Sequence, residues 1–223
     1  MLGASAGREM KRANIGCGET PTIGWLNFDN SMSIRLSSYP ALCKILRKTR
    51  LINSAQWARI KFCQTNEIVW ANAAKRIPLP DNSVEVLYSS HMLEHLDRVE
   101  AKRFLDEARR VLTPDGIIRL AVPDIKTLVQ KYVDDGDADS FIESAYMCIP
   151  RPRSISERLS ILLVGTRHHQ WMYDSRSLCK LLVESRFTDV QSVEAGHTRI
   201  TNSEPLDLYE RKDESIYVEA RKA

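Results

Sequence analysis

The chain has 223 residues, 43% of them hydrophobic and 27% charged, with a net charge of +3. These values describe a soluble globular protein, most simply one well-buried domain with insertions, and exclude a disordered or fibrous chain. So small a net charge gives no global attraction to nucleic acid, and no run approaches the ~18 apolar residues of a membrane span. Met1–Lys11 lacks the apolar centre of a signal peptide. The five cysteines are scattered and form no C-x-x-C. They indicate a reducing cytoplasm, with at most a peripheral place at the inner membrane, rather than a disulfide framework.

Met1–Arg12 reads as a lead-in to the first strand. The apolar entry Ala13–Ile15 then runs into Gly16-Cys17-Gly18, and Asp29 closes a second apolar run. This pattern predicts a strand ending in a loop whose glycines let a ligand approach the backbone. Asp29 would sit at the end of a neighbouring strand, where a carboxylate can accept both hydroxyl protons of a ribose. An ordinary turn also produces Gly-x-Gly, so the spacing matters. Ten residues separate Gly18 from Asp29, whereas a dinucleotide fold needs about 20, including a helix. The gap disfavours NAD and favours another nucleoside ligand.

The next segment, Asn30–Asn66, holds seven basic residues and no Asp or Glu. Pro40 suits a first helical turn, and Leu42, Ile45 and Leu46 make an apolar stripe. The segment is a solvated basic face on a helical insertion, or a surface at residues 35–61 for an anionic partner. Glu67–Ala71 is a strand, Asn72–Ser83 a loop with two prolines, and Val84–Tyr88 a buried strand. Asp97 and Glu100 form a capping box, after which Ala101, Phe104, Leu105, Ala108, Val111 and Leu112 share a helix face. Pro114-Asp115-Gly116 stops that helix before the strand Ile117–Val122. Asp124 caps a helix whose Ile125, Leu128, Val129, Tyr132 and Val133 share a face. A poorly periodic helical insertion follows over 134–167, broken by Pro150 and Pro152. His168–Tyr173 is an aromatic and imidazole cluster, Asp174 caps another helix, and Val190–Val193 and Ile216–Ala220 are closing strands. Strands alternating with helices argue for a parallel sheet covered by helices.

The motifs resemble those of the class I S-adenosylmethionine-dependent methyltransferases, type 11-like. The likeness is narrower to the short branch associated with cell-surface saccharide biosynthesis. It is carried by Asn14–Gly18, Gly24–Asp29, Ile77–Val86, Ser89–Leu96, Arg110–Gly116 and Trp171–Asp174. It implies a Rossmann-like doubly wound α/β sheet, mainly parallel, with helices on both faces, an antiparallel C-terminal strand and a shortened or absent first helix. It also implies S-adenosyl-L-methionine as cofactor. Gly16, Cys17 and Gly18 would lie near its methionyl end, Asp29 at the ribose, and Asn72 and Ala73 at the adenine. Ser90 and His91 would line the cofactor and acceptor pockets. Two positions depart from the family: Asn72 replaces an acidic residue, and Arg186-Phe187 replaces Gly-Phe, so the preceding helix is expected to end differently.

Methyl transfer needs the nucleophile aligned behind the methyl group, water excluded, and a base where the nucleophile is a hydroxyl. The candidate catalytic residues are His91, Glu94, His95 and His168, with His169 beside them. His91 and His95 are four apart and would share a helical face with Glu94 adjacent, although an ordinary polar helical turn has the same composition. Imidazole and carboxylate suit zinc, but the sequence does not set the distance between the two histidine groups, and no metal is expected. The reading is a methyltransferase acting on a small-molecule or saccharide acceptor, at oxygen. The alternatives are a non-catalytic protein of the same fold and, from the basic insertion alone, a nucleic-acid methyltransferase. No stable nucleic-acid or transmembrane association is expected.

Overall fold

The computed structural model describes residues 11–148 and 168–223. Residues 1–10, and the part of the second insertion with Pro150 and Pro152, lie outside the described residues. Seven strands form one sheet: β1 (Lys11–Ile15), β2 (Leu26–Asp29), β3 (Ile68–Trp70), β4 (Val84–Ser90), β5 (Leu112–Pro123), β6 (Phe187–Val193) and β7 (Ser215–Lys222). Their order is β3-β2-β1-β4-β5-β7-β6. The first five run parallel, and β7 lies antiparallel between β5 and β6. This is the Rossmann-like sheet expected, with helices around it.

No helix lies between β1 and β2 among the described residues. Two buried amides organise that loop instead. Asn14 Nδ2 donates to Thr20 O and Thr22 Oγ1, while Asn27 Oδ1 accepts from Thr22 N–H. Asn27 Nδ2 also donates to the carbonyls of Thr22 and Trp25. Side chains on the two strands thus supply the hydrogen bonds that a helix would have made internally.

Between β2 and β3 come α1 (Met32–Ser37), α2 (Pro40–Lys48) and α3 (Ser54–Thr65). A parallel strand pair requires such a crossover, so the basic segment also serves the topology. Its cations are not all displayed. Arg35 stacks on Trp70, Arg47 and Lys61 stack on Trp57, and Arg59 pairs with Glu19.

The helix α4 (Arg98–Val111) begins with the expected capping box of Asp97 and Glu100 and buries Ala101, Phe104, Leu105, Ala108 and Val111. It packs on one face of the sheet with α7 (Ser175–Glu184), against Ala13, Ile15, Leu87, Ile118, Leu120 and Val218. Pro114–Gly116 differs from expectation. The residues form an irregularity within β5: Val84 pairs with Leu112, and Val86 with Ile117. Gly116 is required there, because a Cβ would stand 2.8 Å from Thr113 O.

Alternate side chains of the central strands face the other way: Val86, Tyr88, Ile117, Arg119, Tyr217 and Glu219. Residues 194–214 cover part of this face, seating Ile200 and Leu206 on it with Trp25. Arg119 and Glu219, both 0% exposed, pair at 2.7 Å. Arg119 also donates to His197 O, and Glu219 accepts from Thr198 Oγ1 and Arg199 N–H. Burial pushes the Glu219 carboxyl up, but these donors outweigh it and hold the group below its ordinary range.

Two further expectations change. The apolar stripe of α5 (Ile125–Asp135) is not buried among the described residues, with Val133 66% exposed. It meets α6 (Ala138–Ser144) through Tyr132 and Phe141, whose rings lie 5.4 Å apart. At the end of α7, Arg186 adopts the left-handed conformation, φ +65°, that glycine would have taken. The helix therefore ends in the left-handed turn that Arg186 was expected to prevent. The strained residue is held by its N–H to Val183 O and by Arg109 Nε donating to its carbonyl.

Candidate active site

In an open parallel sheet, ligands bind at the carboxyl ends of the strands where the strand order reverses. Here that point lies between β1 and β4. Gly16 follows β1, Asp29 ends β2, Ala71–Ala73 follow β3, and Ser90 and His91 end β4. All the residues picked out for cofactor are therefore on one edge.

Gly16 takes φ +73°, and a Cβ there would meet Met92 Cγ at 2.5 Å, so the close approach excludes any side chain. Gly16 N–H donates to Phe28 O at 2.7 Å, tying the loop to β2. Asp29 is already oriented: Oδ2 accepts from Gly18 N–H at 3.1 Å and Oδ1 from Ser31 N–H at 2.8 Å. Arg59 Nη2 stands 3.8 Å from Oδ1. Each carboxylate oxygen keeps a lone pair for a ligand hydroxyl. Cys17 is buried, and burial, then the nearby Asp29 charge, push its thiol up to about 12, which leaves it unreactive. The Asn72 carbonyl accepts from the N–H groups of Lys75 and Arg76, and Ala73 is buried beside it. Ser90 Oγ is buried with no hydrogen bond among the described residues. A close-approach loop, an aimed carboxylate and an unsatisfied hydroxyl on one edge fit a nucleoside ligand.

The second half of the site surrounds Glu94. The expected helical turn over 91–95 is reduced to a 3-10 turn at Leu93–His95, with His91 at φ +47° before it. Strain of this kind at the end of a central strand is a mark of functional positions. Glu94 is 0% exposed, and neither carboxylate oxygen has a hydrogen bond among the described residues. Its Oε1 lies 3.4 Å from His91 Nδ1 and 3.9 Å from both His95 Nε2 and His169 Nε2. Burial pushes the Glu94 carboxyl up to about 8. His91 and His169 are driven down to about 3 and about 4, in both cases first by burial. Near pH 7 these two imidazoles are neutral.

The segment after residue 167 is docked by Gln170 and Trp171, whose N–H groups both donate to Glu94 O, at 2.7 and 3.1 Å. This docking turns the imidazole of His169, not His168, towards the carboxylate. His168 contributes its carbonyl, 3.1 Å from His95 Nδ1. His91 Nε2 meets Ser215 Oγ at 2.7 Å. The aromatic cluster divides: Tyr173 is fully buried, while Trp171 is 45% exposed and stacks on Arg98.

Fold, cofactor edge and domain match agree on the class. Residues 13–120 match the family described as a methyltransferase domain, from β1 into β5. Residues 13–120 carry a methyltransferase domain, the fold is one shared with S-adenosylmethionine-dependent methyltransferases, and S-adenosylmethionine is its cofactor. Among solved structures it is similar to an S-adenosylmethionine-dependent methyltransferase from Thermotoga maritima, titled a possible histamine N-methyltransferase. That similarity has 15% identity and a TM-score of 0.52, over 96% of this chain and 83% of the other. A second, from Methanosarcina mazei, is 16% identical with a TM-score of 0.53, over 96% and 93% of the two chains. At such identities the likeness is one of fold. No curated protein matches the sequence.

Proposed function

We propose that the protein methylates a hydroxyl oxygen of a small polar acceptor, of which a saccharide is the reading carried by the sequence motifs. The single observation behind it is the buried Glu94 carboxyl, without a hydrogen bond among the described residues and ringed by imidazoles beside the Gly16 loop. When bound, S-adenosylmethionine supplies the electrophilic methyl group. Gly16 and Gly18 admit its methionyl end, Asp29 takes the ribose hydroxyls, and Asn72 with Ala73 faces the adenine, where an amide can both donate and accept. Ser90 Oγ is left to bond ligand.

A hydroxyl acceptor must lose its proton as the new bond forms. A carboxyl held near 8 is matched to that task at neutral pH, whereas His91, held near 3, is a weak base suited to orienting. His95, whose side chain is 32% exposed, connects the buried carboxylate to the open side. Trp171 offers an amphipathic ring to a sugar face.

The test is calorimetric titration with S-adenosylmethionine and S-adenosylhomocysteine, followed by turnover with hydroxylated acceptors. Micromolar binding, about −8 kcal/mol, with turnover that collapses in Glu94→Gln at unchanged cofactor affinity supports the reading. Methylation confined to amines would overturn it.

A further inference from the structure

We propose that Glu94, His95 and His169 form a binding site for one first-row divalent cation of the Zn2+ class. Their ligand atoms, one carboxylate oxygen and two imidazole nitrogens, all lie within 4.8 Å of one another. Two bonds of about 2.1 Å meeting at a tetrahedral angle set their donor atoms roughly 3.4 Å apart. The observed 3.9 Å from Glu94 Oε1 to each Nε2 lies about 0.5 Å above that value.

The outer contacts orient both rings in the sense a cation needs. His95 Nδ1 faces the carbonyl of His168 at 3.1 Å, and His169 Nδ1 faces Met172 Sδ at 3.2 Å. With the protons on Nδ1, the nitrogens turned to Glu94 are both Nε2. A ligating histidine characteristically gives its other N–H to such a partner.

Independent support comes from the carboxylate itself. A carboxyl at 0% exposure with no hydrogen bond to either oxygen among the described residues is a costly arrangement. Neutral imidazoles do not offset it as a cation would. The sequence reading expected no metal because residues 94 and 169 are distant in the chain; the docking of Gln170 and Trp171 on Glu94 O joins them.

Three protein ligands leave a coordination position for an oxygen of the acceptor, and with the cation bound Glu94 serves as ligand in place of base: the cation makes that hydroxyl acidic enough to give its proton to solvent. That last step rests on the function proposed above, whereas cation binding does not. The experiment is therefore a titration of the chelator-stripped full chain with ZnCl2, by calorimetry, with Co2+ absorption as a second readout. One ion per chain is expected, with tetrahedral-type Co2+ bands, and affinity lower by at least about tenfold in Glu94→Gln and His169→Ala. His197→Ala, at an exposed histidine elsewhere, should bind as the parent does. Glu94→Gln is nearly isosteric, so it keeps the fold testable, and S-adenosylmethionine affinity is measured in each sample. Loss of zinc binding with cofactor affinity retained supports the site. No stoichiometric uptake, or uptake unchanged in both variants, overturns it. Zinc binding without cofactor binding would sink the functional proposal and leave this one standing.

Discussion

Asp29 is held by two backbone N–H groups with Arg59 beside it, at the end of β2 facing the cofactor edge. Asp29→Ala should lower S-adenosylmethionine affinity by more than about tenfold, or about 1.4 kcal/mol, with a near-native fold whose stability falls only by about 1–2 kcal/mol for the two lost N–H bonds; calorimetry and thermal denaturation check the two halves. Gly16→Ala is the opposite case. A positive φ and Met92 Cγ at 2.5 Å leave no room for a methyl, so a loss of about 1–3 kcal/mol is expected in denaturant unfolding. Glu94 links stability to pH. Its folded value of about 8 lies above the ordinary 4.5, so the folded protein keeps a proton that the unfolded chain gives up. The resulting stability is complete below about pH 4.5 and is lost as pH rises through about 8. In metal-free protein, Glu94→Gln should gain stability relative to the parent across that interval, read as a widening difference in Tm.

Among the elements, α4 was the most legible, because its capping box and apolar spacing are local signals that tertiary packing then used. The polar stretch over 194–214 was the least legible. Only Ile200 and Leu206 in it are core residues, too few for a periodicity. Yet it closes one face of the sheet over Arg119 and Glu219. Both charges were visible inside apolar strands, but their pairing across 100 residues was not. Arg119→Met should cost about 2–3 kcal/mol, since it removes the buried counter-charge of Glu219 and leaves only Thr198 and Arg199 to hold it; urea unfolding measures it. Arg186 is a smaller test of local strain. A left-handed non-glycine residue costs about 1–2 kcal/mol, partly offset by the greater freedom of glycine in the unfolded chain. Arg186→Gly should therefore stabilise the protein by up to about 1 kcal/mol.

For the whole molecule, the basic crossover over 35–61 spends several cations on Trp57, Trp70 and Glu19. Lys44, Lys48 and Arg50 remain exposed on and just after α2, a local basic face on a chain whose net charge is only +3. No helix among the described residues is long and apolar enough to cross a membrane.

The residues alone carried the strand-to-loop glycines, the carboxylate eleven residues on, the α4 cap and the Ser89–Leu96 cluster. These are short-range patterns, in which backbone conformation and neighbouring side chains already constrain one another. The tertiary structure decided which imidazole meets Glu94, which strand face receives the polar cover, and that Arg186 bends where glycine was missing. Those outcomes depend on contacts between residues tens of positions apart, whose free energies arise only once the sheet has ordered and water has been expelled from between its layers.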